Sequence, residues 1–185
     1  DLLCMCLVHG PTPVSVATER ATAMLADARA NPGLRANVMA ALAELKAMQK
    51  SFDEARELLG DARQTYEQLG LRLGLVGVMQ VQGLVELLAG DAGEAERAFR
   101  EGYELIAVEL PTWRAYQAGL LAEALYEQDR LDEARLLIET GEPDQLDDLE
   151  NIFGWAVVKA RLLARAGAAD EGEELLRDIA ARAAQ

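Results

Sequence analysis

The chain is poor in the residues on which most enzyme chemistry depends. Among 185 residues there is one histidine, His9, and two cysteines, Cys4 and Cys6, with three Phe, two Trp and four Tyr. A single histidine with no G-x-S-x-G elbow and no base–nucleophile pair around it excludes the usual nucleophilic arrangements. Two cysteines separated only by Met5 cannot frame a disulfide-stabilised fold, and they fit a reducing cytoplasm. Basic residues are scarce as well: 18 Lys and Arg stand against 32 Asp and Glu, for a net charge of −14. Such a surface repels phosphate backbones and anionic lipid heads, so neither nucleic acid nor a membrane is expected as a partner. No apolar run is expected to reach bilayer length. The opening "DLLCMCLVHG" has no basic lead-in of a secretory signal. It also lacks an initiator Met, and is read as a cut inside a longer protein.

What the chain does have is Leu, Ala and a recurring peptide. "SFDEARELL" (51–59) returns as "DAGEAERAF" (91–99), "DRLDEARLL" (129–137) and, more loosely, "AADEGEELL" (168–176). Aligned with a weaker upstream copy, these place Ala17, Ala55, Ala95, Ala134 and Gly172 at intervals of 38 to 40 residues. Self-similarity at such a period is the mark of a helical solenoid. Twelve residues before each aligned position stand Met5, Ala43, Gly83, Ala122 and Ala160, four of the five small. Four after stand Ala21, Leu59, Phe99, Ile138 and Leu176. Two antiparallel helices per repeat explain this: a small residue on each lets the backbones approach, and a bulky one fills the space beside them.

Acids in the first turn of each second helix meet its unpaired N–H groups and positive dipole end: Asp53 and Glu54, Glu94, Asp132 and Glu133, Asp170 and Glu171. Helices are expected near 1–9, 13–29, 35–48, 52–68, 72–89, 92–107, 112–127, 131–140, 152–166 and 169–183. Breakers fall between them, as at Gly10-Pro11, Asn31-Pro32-Gly33, Pro111 and Gly141-Glu142-Pro143. The expected fold is therefore all-α: one right-handed α–α superhelix of about five helix pairs, with repeats near 1–34, 35–71, 72–110, 111–150 and 151–185.

The small residue, twelve-residue step, alanine and following bulky residue resemble tetratricopeptide repeats across essentially the whole chain. The resemblance is clearest in "GLLAEALYEQDRLDEARLLIETG" (119–141) and "GLVELLAGDAGEAERAFREGYEL" (83–105). The period exceeds the ~34 residues of the standard repeat, and its usual aromatic and Pro are mostly missing. "HGPTPVSVATERATAMLADA" and "ALAELKAMQKSFDEARELLGDARQTYEQLGLRLG" are similar to the C-terminal repeat region of bacterial multidomain signalling proteins. In those, a class III nucleotide cyclase or a DNA-binding domain joins a regulatory ATPase and then such repeats. The resemblance implies a cytoplasmic signalling or transcription regulator whose repeats dock a partner, and it places no catalytic residue here.

Specific sites read thinly. Cys4, Cys6 and His9 are too few for zinc and, two apart on a helix, the cysteines point to different faces, so no metal or cofactor is expected. "GDAGEA" lacks the Lys of a phosphate-binding loop. Asp147 and Asp148 read as part of a solvated acidic loop. Charge is uneven: residues 76–110 carry −5 and 111–150 carry −8, which suits a solvated face or a basic partner. By analogy with tetratricopeptide arrays, the first helix of each pair lines a concave groove. That implies Asn37 and Glu44, Gln80 and Leu84, Tyr116, Glu123 and Tyr126, then Arg161 and Arg165 as partner-binding residues. The expected function is a non-catalytic module binding a protein, a peptide, a small ligand or another domain of its parent chain. Self-association as a homo-oligomer is the alternative.

Overall fold

The computed structural model describes residues 2–106, 111–141 and 149–183. Within these the chain is helical, with no strand among the described residues: α1 (Leu2–His9), α2 (Val14–Asp27), α3 (Pro32–Met48), α4 (Phe52–Leu69), α5 (Arg72–Ala89), α6 (Ala92–Ile106), α7 (Pro111–Glu127), α8 (Leu131–Thr140), α9 (Leu149–Arg165) and α10 (Ala169–Ala183). A short 3₁₀ turn over Ala28–Ala30 links α2 to α3. The all-α expectation holds for these residues, and the ends fall within three residues of those read from the sequence. Asp147, Asp148 and the Pro143 turn lie outside the described residues.

The ends follow local chemistry. Asn31 caps α3, its Oδ1 accepting from the Leu34 N–H at 3.0 Å, with Pro32 at the first helical position. Asp91 accepts from the Glu94 N–H at 3.0 Å and opens α6 in the same way. Gly70 and Gly90 close α4 and α5 at φ 66° and 84°, a left-handed conformation that glycine adopts without steric cost.

The chain divides into two compact units, Asp1–Ala98 and Phe99–Gln185. In the first, α3 packs on α1, α2, α4 and α5. Its main core joins Ala36, Met39, Ala43 and Ala47 of α3 to Ala55, Leu59, Ala62 and Tyr66 of α4 and to Val78 and Val85 of α5. A second cluster seats Leu7 of α1 and Ala17 and Ala21 of α2 on Leu42 and Leu45. In the second unit α7 lies against α8 and α9, and α9 against α10.

The aligned small residues are where the backbones meet. Ala17, Ala55, Ala95 and Ala134 are fully buried. A Cβ added at Gly172 would lie 2.9 Å from the Ala160 carbonyl oxygen and 3.3 Å from its Cβ, the partner twelve residues earlier. Met5 departs from the pattern: it is 43% exposed on α1.

One expectation is corrected. By length and composition α5 alone among the described helices could cross a membrane. In this structure α5 is tied into unit 1 by Val78 and Val85 in the core. It also carries Glu86, whose two carboxylate oxygens accept from Arg56 Nε at 2.8 Å and Nη2 at 2.6 Å. Its length and apolarity arise because it is apolar on more than one side.

Candidate functional site

Four of the nine residues expected to bind a partner converge in unit 2. Glu123 and Tyr126 lie one turn apart near the end of α7, and Arg161 and Arg165 lie one turn apart on α9. Arg161 donates through Nη1 to Glu123 and through Nη2 to Glu127 at 2.6 Å. Its guanidinium carbon sits 4.0 Å from the centroid of the Tyr126 ring, and that of Arg165 sits 5.9 Å away. Arg165 also donates to Asp129 at 2.6 Å. The Arg161 guanidinium is held above its ordinary pKa by bonding and attraction to Glu127 and Glu123, against the opposing effect of its burial.

These groups therefore engage one another rather than standing open. Each exposed ion pair contributes ~0.2–1 kcal/mol and each stacked guanidinium ~0.5–1 kcal/mol. Together they form a polar ladder between α7 and α9, beside the close approach at Gly119. A ligand at this ladder must exchange with contacts already made. Tyr116, ten residues before Tyr126, is half-buried.

The residues assigned to unit 1 sit differently. Asn37 is exposed on α3, where its Oδ1 accepts from the Tyr66 hydroxyl at 2.7 Å. Glu44 is half-buried, with neither a hydrogen bond nor an ion pair to any described residue. Burial pushes its carboxyl above the ordinary value, and the proximity of His9 works against that shift. Leu84 is half-buried on α5. Gln80 is half-buried too, and its Nε2 is enclosed without a hydrogen-bond partner.

Sequence reasoning missed three features. The Arg56–Glu86 pair gave no signal, because the sequence does not say that Glu86 faces inward. Gln117 is fully buried in α7, and neither amide atom has a partner. The exposed side of α5 could have been found by plotting "LRLGLVGVMQVQGLVELLA" on a helical wheel.

Cys4 is buried and Cys6 exposed, the two pointing to different sides of α1. Among the described residues no group of three or more His, Cys, Asp or Glu is placed to hold a metal ion. The sequence matches no protein-family model. It aligns significantly with no curated protein.

Proposed function

We propose that the chain is a non-catalytic interaction module of the tetratricopeptide kind, belonging to a cytoplasmic signalling or transcription regulator. On this reading it recognises a protein or peptide, or another domain of its parent chain, through the side chains that its first helices share. The observation that carries it is the alternation of helices. Helix pairs pack through buried small residues at a period of 38 to 40, so the first helices offer surface side chains side by side within each unit, α3 with α5 in the first and α7 with α9 in the second. Rigid rows of this kind are recognition surfaces rather than reaction centres.

The test is affinity capture from lysate of the source cell with the native chain and with Tyr116→Ala/Glu123→Ala/Tyr126→Ala side by side. Circular dichroism confirms that both fold. A partner recovered by the native chain alone supports the reading, and identical recovery by both removes these residues from it.

One observation favours self-association instead: α1 exposes Leu2 at 77%, Leu3 at 54% and Met5 at 43%. Light scattering over a concentration series separates the two, since a constant monomer mass eliminates the oligomer.

A further inference from the structure

We draw no further inference here: the strongest candidate, the patch of exposed leucines Leu69, Leu71 and Leu73 where α4 turns into α5 beside Gly33 of α3, is an unpartnered apolar surface, and nothing in the structure shows what covers it.

Discussion

Gly119→Ala asks how tightly the first helices of unit 2 are stacked. A Cβ at this position of α7 would stand 2.7 Å from the backbone nitrogen of Trp155, 2.9 Å from its Cα and 3.2 Å from the Gly154 carbonyl carbon. Non-bonded contacts of this kind relax to ~3.5–4.0 Å, so α9 must retreat by somewhat under 1 Å. The obstacle is backbone and cannot rotate aside. Trp155 is 1% exposed and donates from Nε1 to the Ile138 carbonyl at 2.8 Å, so moving α9 also stretches its tie to α8. Overpacking of this sort costs ~1–3 kcal/mol, while removing a helical glycine returns ~0.5–1 kcal/mol. The net expectation is a loss of ~1–2 kcal/mol, or ~2–8 °C in Tm for a chain of this length. Urea melts followed by circular dichroism and tryptophan fluorescence give the number, with an unchanged m-value showing that stability alone has moved. A variant as stable as the native chain would show that α7 and α9 do not touch at Gly119, and would refute the packing described for unit 2.

Gly77→Ala is the opposite case: with nothing near the new methyl, only the helix preference remains, and thermal melts should show a gain of ~0.5–1 kcal/mol. Gln117→Met replaces a buried amide that has no hydrogen-bond partner by a side chain of similar length, so urea denaturation should show stabilisation of ~1–3 kcal/mol. Arg56→Ala leaves the Glu86 carboxylate, 6% exposed, without its bidentate partner. Fully buried pairs cost ~3–5 kcal/mol to break, and discounting for the 43% exposure of Arg56 leaves ~2 kcal/mol; Glu86→Gln should cost less, because Arg56 can turn to water. Glu44 has its carboxyl raised by burial, so the native state holds that proton more tightly than the unfolded chain. Its contribution is fully present below the unfolded-state carboxylate pKa and is lost as pH rises through the raised native value. Stability measured across that window should fall less steeply in Glu44→Gln than in the native chain.

The helices were legible because their signals are local. First-turn acids and the glycine at 90 act within one turn of the residue that carries them, whereas Asn31-Pro32-Gly33, read as a breaker ahead of a helix at 35, turns out to be the cap and first turn of α3. The contact between Gly172 and Ala160 was legible for another reason: a fixed step of twelve residues between small side chains survives wherever a tight hairpin recurs. The site was less legible. Glu123 and Arg161 were both singled out as groove residues, yet whether they stay open to a partner or close on each other depends on side-chain reach across two helices 38 residues apart. Sequence spacing does not hold that information. Asn37, Glu44 and Leu84 were placed on a first-helix face, whereas Leu73, Gly77 and Leu88 of α5 were passed over. In a helix as apolar as α5, core and surface leucines look alike until the neighbours are known.

The first helices of the two units thus carry different chemistry at equivalent positions. Leu84 of α5 and Glu123 of α7 stand 39 residues apart, as do Leu88 and Glu127, and Gly77 and Tyr116. In unit 2 these positions hold two acids and an aromatic, and the acids are neutralised by Arg161 from α9. In unit 1 they hold two leucines and a glycine. A polar ladder loses little when wet, because its ion pairs are only partly desolvated and water can replace each bond. An apolar row loses on every side chain left in water, at ~25 cal/mol per Å² of apolar surface. A half-covered Leu73 and Leu88 therefore represent on the order of 1 kcal/mol each that the folded chain leaves unclaimed and a bound apolar face could recover.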